Sequence, residues 1–163
     1  MNQQPKLEIR QEIPVKSFSV CTYICRAANG QAEYLLLKRC CSYMKGLWQG
    51  VTGRIEKNEA AWQTALREIQ EETGLAPDRL YSANTVETFY EATQNCISII
   101  PIFVGFLDSS QTVRLSREHD EYRWLPAGPA RELLLFVQQK QTIDYLEQEF
   151  IQKQPLECLK ING

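Results

Sequence analysis

Apolar and polar positions alternate near the start of the chain. Within residues 15–25, aromatic or β-branched side chains alternate with polar or small ones from position 18 onward, a period that predicts a β-strand. The sequence Ala-Ala-Asn-Gly over residues 27–30 is typical of a tight turn, so residues 33–38 are expected to return as the second strand of a hairpin. A loop over residues 40–46 and a short extended segment over residues 47–51 are predicted to follow.

The spacing becomes helical after an irregular stretch, residues 53–58. Over residues 59–73 the apolar positions lie three and four residues apart, and the stripe comprises Trp62, Ala65, Leu66, Ile69 and Thr73. Asn58 is a favourable N-cap, and Gly74 is suited to the left-handed residue that ends a helix. The sequence therefore specifies one well-delimited central helix.

Strand-like and helical patterns follow one another in the second half. Pro101 indicates a bulge or an edge within one of three further strands, which are predicted over residues 85–91, 97–107 and 121–125. Two late helices are predicted over residues 126–139 and 142–152, and the apolar run 133–137 is expected on the buried side of the first. Mixed strands with a central helix and late helices predict an α/β or α+β layered domain with a mixed sheet.

The size and composition predict a single globular domain over residues 1–163. At about 150 residues per domain, 163 residues correspond to one unit, and 44% hydrophobic with 23% charged residues is ordinary for a globular protein. Residues 1–12 are polar and are expected to form a frayed start without a secretory signal, which favours the cytoplasm. The longest apolar stretch, residues 96–107, is too short to span a membrane.

Charge and cysteine content exclude further classes of function. With 18 basic and 20 acidic residues, the net charge of -2 provides no general attraction to nucleic acid or to a membrane surface. The six cysteines are dispersed, form no C-x-x-C pair and accompany one histidine, so free thiols are expected rather than a disulfide scaffold or a zinc site. The expected partner is a small molecule, and the oligomeric state is left open, with a homodimer as one option.

Three glutamates lie together at the end of the central helix. Glu68, Glu71 and Glu72 are spaced i, i+3 and i+4, which places them on one side of the helix and away from the apolar stripe. Like charges at this spacing cost a few tenths of a kcal/mol per pair, and acids in the last turns oppose the helix dipole. A divalent cation would reverse both effects, and Mg²⁺ or Mn²⁺ prefers such oxygen ligands. A solvated acidic face is the alternative.

The residues before and after this triplet extend it to a longer motif. The chain resembles the Nudix box, G-x5-E-x7-R-E-U-x-E-E-x-G-U with U aliphatic, at all of its defined positions: Gly53, Glu59, Arg67, Glu68, Ile69, Glu71, Glu72, Gly74 and Leu75. The resemblance implies the Nudix α/β/α sandwich with a mixed central sheet. It also implies a pyrophosphohydrolase that uses Mg²⁺ or Mn²⁺ to cleave a phosphoanhydride in a small-molecule substrate.

The resemblance assigns roles to six of the nine defined positions of the box. Glu71 and Glu72 would be the principal metal ligands, and Glu68 would be a third ligand or would orient the attacking water. Gly53 would allow a tight turn and offer a backbone carbonyl near the metal. Arg67 would pair with Glu59 and hold the loop of the box against the helix.

A carboxylate from outside the box is expected to complete the site through a contact with the metal or with the attacking water. The candidates are Glu118, Asp120 and Glu121, and Glu118 is favoured because its order with His119 and the following residues resembles a late strand of bacterial Nudix enzymes that act on dihydroneopterin triphosphate. His119 would contact the substrate or support a neighbouring residue; a solvated loop position is its alternative.

The approach to the box favours the same subgroup. Val51-Thr52-Gly53 replaces the Pro-Gly-Gly element that precedes most Nudix boxes. The favoured substrate is therefore dihydroneopterin triphosphate, with release of pyrophosphate. Another nucleotide remains the alternative, namely a dNTP, a dinucleoside polyphosphate or a nucleotide sugar, as does a nucleotide-binding Nudix domain without turnover.

Basic and aromatic residues near the box are the candidates for substrate contacts. Arg39 and Lys45 are preferred for the phosphates over Lys38 and Arg54. A flat ring requires a stacking partner, for which Trp48 is preferred, and the other candidates are Tyr43, Phe89 and Tyr90. Ordinary packing or solubility is the alternative for each of these side chains.

Overall fold

A computed structural model describes residues 12–108 and 111–162, which form one mixed sheet with helices on both faces. The strands are β1 (Val15–Lys16), β2 (Ser19–Ala28), β3 (Gln31–Arg39), β4 (Trp48–Gln49), β5 (Val51–Arg54), β6 (Arg79–Glu91), β7 (Cys96–Leu107) and β8 (His119–Leu125). The helices are α1 (Ala61–Thr73), α2 (Ala127–Leu133) and α3 (Val137–Leu146). Of the start predicted as frayed, only Glu12 is among the described residues.

The sheet has the order β1-β7-β2-β3-β4, with β5 on β2, β6 on β7 and β8 on β3. Strands β1 and β2 run parallel to β7 and the remaining pairs are antiparallel, so the predicted mixed sheet is confirmed. The single strand predicted over residues 15–25 is divided into two. The reason is that β1 pairs with Ile97 and Ser98, whereas β2 pairs with β7 only from Ile102 onward.

Two apolar cores lie on opposite faces of the sheet and define the three layers. Strand β2 is buried on both faces: Val20 and Ile24 face α1, whereas Cys21, Tyr23 and Cys25 face α2 and α3. Burial on both faces explains why its alternation of apolar and polar residues is imperfect. The described part of the chain thus forms an α/β/α sandwich.

The predicted hairpin is present between β2 and β3. Asn29 and Gly30 form its tight turn with φ values of 51° and 79°, and Ala28 pairs with Gln31 across it. Both turn residues occupy the left-handed region, which Asn and Gly tolerate best.

The central helix ends as predicted but begins later. Gly74 terminates it in the left-handed conformation, with φ 68°, and its N–H donates to the carbonyl of Gln70. The predicted N-cap, Asn58, is wrong: it lies in a turn with φ 66°, and Ala60 precedes the helix instead. The side-chain oxygen of Gln63 accepts a hydrogen bond from the N–H of Ala60. A residue other than the predicted cap therefore provides the side-chain hydrogen bond at the start of the helix.

The late helices also differ from the prediction. The helix expected over residues 126–139 is interrupted after α2, because the backbone is extended at Leu134 and again at Phe136. Only Leu134 of the run 133–137 is fully buried, whereas Leu135, Phe136 and Val137 are exposed. Helix α3 therefore starts five residues before the predicted position 142, and it continues into a π-helical turn over Glu147–Ile151.

Strand β6 begins six residues before the predicted position 85, and its ladder with β7 shifts register between Ser82 and Val86. The shift lies opposite Pro101, which lacks an N–H for the ladder, so the irregularity predicted at this proline is confirmed. None of the helices formed by the described residues is long and apolar enough to cross a membrane.

Candidate active site

The end of α1 is held against the segment that leads into β8. The carbonyls of Glu72 and Thr73 accept hydrogen bonds from the N–H groups of Ser116 (3.1 Å) and Arg114 (2.8 Å). These bonds satisfy carbonyls that have no partner within the helix. They also bring Glu118, two residues beyond Ser116, to the end of the sandwich where the box glutamates lie.

Arg67 is the centre of an ion-pair network that organises the box. Its guanidinium donates to both carboxylate oxygens of Glu59, at 2.9 and 3.0 Å, and to the carbonyl of Arg54 at 2.9 Å. It also donates to Glu68 at 2.7 Å and to Glu71 at 3.2 Å. The loop before the helix is thereby held against the helix, in the arrangement that the resemblance to the Nudix box implied for Arg67 and Glu59.

This network lowers the pKa of Glu59. The Arg67 guanidinium, the Thr64 hydroxyl and the N–H of Glu56 all donate to its carboxylate and lower its pKa from 4.5 to about 2. The stability that Glu59 contributes is therefore present above pH 4.5 and is lost as the pH falls through about 2.

We expect Glu59→Gln to be less stable than the wild-type protein at pH 7, with a difference that shrinks as the pH falls from about 4.5 toward 2. Urea unfolding midpoints of both proteins at pH 7, 4 and 3 measure this difference. A difference that stays constant over this range would contradict the ion-pair assignment.

Gly53 lies in β5, paired with Val20, and its φ is not in the left-handed region. The tight turn expected at Gly53 is therefore wrong. The structure indicates a different reason for glycine: a β-carbon at this position would overlap the carboxylate of Glu68. The absence of a side chain thus creates the space in which Glu68 lies against the strand.

Glu72 is the most buried acid of the triplet. It is 4% exposed, and its Oε2 has no hydrogen-bond partner among the residues that the structure describes. Burial, together with the charges of Glu68 and Glu118, raises its pKa to about 8, although the N–H of Thr52 and the charge of Arg39 oppose this shift. A buried carboxylate with an unpartnered oxygen beside two further acids is a favourable position for a cation.

Glu68 and Glu71 currently have a protein cation as their counter-ion. Both contact one nitrogen of Arg67, and Glu71 is mainly exposed. Among residues 12–108 and 111–162, no three His, Cys, Asp or Glu side chains converge in the geometry of a formed metal centre. Glu68 would have to turn from Arg67 toward Glu72 to share a cation with it.

Of the three acids proposed from outside the box, Glu118 is the one that faces it. Its charge acts on both Glu68 and Glu72, and its Oε2 is 3.7 Å from an Arg39 nitrogen. Glu121 is instead occupied by Lys38 at 3.2 Å and Arg123 at 2.7 Å. Asp120 is exposed.

His119 is the first residue of β8 and is buried opposite Arg39. The alternative of a solvated loop histidine is therefore wrong. Within the described part of the chain, both ring nitrogens lack a hydrogen-bond partner, and burial together with the charge of Arg39 lowers the pKa of the imidazole. The lowered pKa favours a neutral ring beside the strand position of Arg39.

The predicted substrate contacts differ in how close they lie to the acids. Arg39 is at the site, where it also donates to the sulfur of Cys41. Lys45 is exposed in the loop after β3 and forms no ion pair with the described residues. The Trp48 ring is covered by Arg123, with the guanidinium carbon 4.9 Å from the ring centroid, so an incoming flat ring would have to displace it. The more open aromatic candidates are Tyr43, Phe89 and Tyr90.

Two features of the site were not predicted from sequence. The N–H of Thr52 acts on Glu72 through the backbone, which no side-chain pattern reveals. Glu87 is buried in β6 next to Tyr23, although its sequence neighbours are ordinary strand residues. Only the folded arrangement reveals the partners of these two groups.

Comparisons with known proteins agree with this geometry. Residues 17–146 match the NUDIX domain. The chain is 33% identical to the mouse (Mus musculus) bis(5'-nucleosyl)-tetraphosphatase [asymmetrical], over 71% of this chain and 78% of the relative. It is 35% identical to the pig (Sus scrofa) protein of the same name, over 69% and 76%.

Solved structures with the same fold include proteins that act on two kinds of substrate. A C. elegans Ap4A hydrolase binary complex superposes with a TM-score of 0.69 at 23% identity, covering 80% of this chain and 94% of the other. The E. coli dihydroneopterin triphosphate pyrophosphohydrolase superposes with a TM-score of 0.67 at 26% identity, covering 86% and 97%. With the domain match and the complete box, these similarities show that the chain belongs to the Nudix hydrolase family.

Proposed function

We propose that this protein is a divalent-metal-dependent pyrophosphohydrolase that cleaves a phosphoanhydride bond in a dinucleoside polyphosphate. The observation that carries the proposal is Glu72, a buried carboxyl with an unpartnered oxygen between the charges of Glu68 and Glu118. The helix dipole disfavours a negative charge at this end of the helix. A bound cation would compensate the charge of the carboxylate, and such a conflict with local rules is expected at a functional site.

The ligand set suits Mg²⁺ or Mn²⁺, because it consists of carboxylate oxygens on one side of a single helix. Glu72, Glu68 and Glu71 would hold the metal, with the carbonyl of Gly53 as a further oxygen beside Glu68. The bound ion would lower the pKa of water and neutralise phosphate charge. Arg67 then retains Glu59 and the Arg54 carbonyl as partners, so the box stays closed when Glu68 turns away.

Glu118 is proposed to orient the attacking water and accept its proton. It comes from the turn that leads into β8 and not from the helix that supplies the other acids, so it can hold the water in line with the bond that breaks. Arg39 would then bind a phosphate beside Glu118, since its guanidinium already lies 3.7 Å from this carboxylate. Lys45 in the neighbouring loop is proposed as a second phosphate contact.

We expect Glu118→Gln to lower kcat by roughly 10²-fold or more with little change in KM, because it removes a proton acceptor and keeps the shape of the side chain. Glu121→Gln is the matched control, since Glu121 lies three residues further along and is already occupied by Lys38 of β3 and Arg123 of β8. Steady-state kinetics of both variants in one buffer make the comparison. Loss in Glu121→Gln alone would move the role to that residue.

The choice of a dinucleoside polyphosphate rests on the curated relatives. The mouse and pig proteins, each over 30% identical, are named for bis(5'-nucleosyl) tetraphosphates and for asymmetrical cleavage. Asymmetrical cleavage of such a tetraphosphate gives a nucleoside triphosphate and a nucleoside monophosphate.

Dihydroneopterin triphosphate is the second candidate, and the approach to the box favours it. Val51 and Thr52 precede Gly53 as in the enzymes of that subgroup, and Thr52 places its N–H on Glu72. Gln49 donates from its side chain to the Thr52 hydroxyl at 2.9 Å and fixes this residue. Hydrolysis of this substrate would release pyrophosphate.

Identification of the products distinguishes these candidates. The protein is incubated with Mg²⁺ and either a bis(5'-nucleosyl) tetraphosphate or dihydroneopterin triphosphate, and the products are separated by anion-exchange chromatography. A triphosphate with a monophosphate supports the first candidate, and pyrophosphate from the pterin supports the second. Binding of both without hydrolysis would identify a nucleotide-binding Nudix domain instead.

A further inference from the structure

Glu87 is a buried acid that the proposed hydrolysis does not use. It lies in β6 at 6% exposure, where it faces β2 and α3. The hydroxyl of Tyr23 donates to its Oε1 at 3.2 Å, and the hydroxyl of Thr142 donates to the same oxygen at 2.9 Å. Two elements therefore fix one carboxylate oxygen in place.

The second oxygen of Glu87 has no such partner among the described residues. No donor of the described residues contacts Oε2, because both hydroxyls donate to Oε1. Oε2 is not fully enclosed by the protein. The small exposed part of Glu87 therefore includes Oε2. Burial raises the pKa of the carboxyl, and the two hydroxyl bonds oppose this shift only in part. No cation of the described residues compensates the charge of the Glu87 carboxyl. A glutamine amide would therefore serve a purely structural role equally well.

Glu87 lies within reach of the box through a short chain of contacts. Its partner Tyr23 is next to Gly50, where a β-carbon would contact Cys21 and the Tyr23 ring. The charges of both Glu87 and Glu72 act on the thiol of Cys21 and raise its pKa. Cys21 also pairs with Thr52, whose N–H acts on Glu72. The contacts from Glu87 through Tyr23 and Cys21 therefore lead to the strand that adjoins Glu72.

Aromatic side chains border the same region. Phe89 is two residues beyond Glu87, on the same face of β6, and is 41% exposed. The side-chain oxygen of Gln138 accepts the N–H of Thr88, which brings the start of α3 and the exposed Phe136 to this part of the strand. A flat ring could stack here while its edge faces the carboxyl.

We propose that Glu87 recognises the exocyclic amino group of the substrate's ring, with Oε2 accepting an N–H from it. The inference deepens the proposed function, and it applies to both candidate substrates, because adenine, guanine and dihydropterin rings all carry an amino group. Tyr23 and Thr142 act as positioning residues that hold Oε1 and thereby direct Oε2 toward the ring.

Binding of mononucleotides tests the inference independently of turnover. Guanosine and inosine monophosphates differ only by the 2-amino group, and adenosine and purine riboside monophosphates only by the 6-amino group. Isothermal titration with Mg²⁺ should show the wild-type protein binding the amino member of at least one pair about 10-fold to 100-fold more tightly, the scale of a hydrogen bond to a charged group.

Glu87→Gln is the decisive variant. Its amide oxygen can accept both hydroxyls, which leaves the amide NH₂ facing the ring, so the preference for the amino member should disappear or reverse. The melting temperature should not fall at neutral pH, because a buried acid has been removed. Glu87→Asp is the second variant, since it keeps the charge but withdraws the oxygen, and it should lose the preference as well.

The outcomes separate the inference from the proposed function. An unchanged preference in Glu87→Gln, or equal binding of both members of each pair to the wild-type protein, would overturn the inference. Failure to hydrolyse either candidate triphosphate or tetraphosphate would overturn the proposed function, whereas an amino preference lost in both variants would still support the inference.

Discussion

Replacing Glu72 by Gln should abolish metal-dependent turnover while the fold is retained. The acid is buried and has an unpartnered oxygen, so we assign it as the ligand that anchors the cation. A metal supplies several kcal/mol of transition-state stabilisation, and about 4 kcal/mol corresponds to roughly 10³-fold in rate. The expected result is a fall in kcat of roughly 10³-fold or more in Mg²⁺, measured with the substrate that the product analysis identifies.

The melting temperature in metal-free buffer provides the structural control for this variant. Burial next to two like charges raises the pKa of Glu72, so removal of its charge should leave the melting temperature unchanged or higher. Glu121→Gln should retain wild-type turnover in the same assay. Near-wild-type turnover of Glu72→Gln would contradict the assignment of the metal to this residue.

Gly53→Ala should impair both stability and turnover. The new β-carbon would overlap the carboxylate of Glu68, so either this side chain or strand β5 must move. Overpacking of this kind costs about 1–3 kcal/mol, and a displacement of about 1 Å at a catalytic group can lower the rate on the order of 10²-fold. We expect a lower melting temperature together with a kcat reduced by roughly 10²-fold.

Gly128→Ala is the matched control for this substitution. Gly128 lies in α2, and a β-carbon there would meet nothing within 4 Å. Alanine is preferred to glycine within a helix by about 0.5–1 kcal/mol, so this variant should be as stable as the wild-type protein or more stable, with unchanged kinetics. Equal effects of the two substitutions would show that the space at Gly53 has no special function.

Local signals were sufficient to predict the elements that position the box. The turn at Asn29-Gly30 requires a left-handed backbone at two adjacent residues, and the end of the central helix requires one at Gly74. Because Asn and Gly tolerate this conformation best, their positions in the sequence indicated the turn and the helix end directly. The pair between Arg67 and Glu59 was expected from the resemblance to the Nudix box, and the structure confirms it.

Features that depend on long-range packing were not predictable in this way. The apolar run 133–137 has the composition of a buried helix, yet only Leu134 is fully buried and Leu133 is partly buried against the core. The chain must pass here from α2 over β3 and β8 to α3 over β6, which leaves the rest of the run exposed. Gly53 has an ordinary extended backbone, so its own conformation does not require glycine. The requirement for glycine comes from the neighbouring Glu68 side chain. Glu87 likewise becomes significant only when Tyr23 and Thr142 are brought to it.

The central claim is that a divalent cation binds at the carboxylates that end α1. Titration of Mn²⁺ followed by electron paramagnetic resonance measures this directly, because free and protein-bound Mn²⁺ give different signals. The wild-type protein and Glu121→Gln should bind Mn²⁺ alike, and Glu72→Gln should bind it at least 10-fold more weakly. Equal Mn²⁺ affinity in all three proteins would contradict the account.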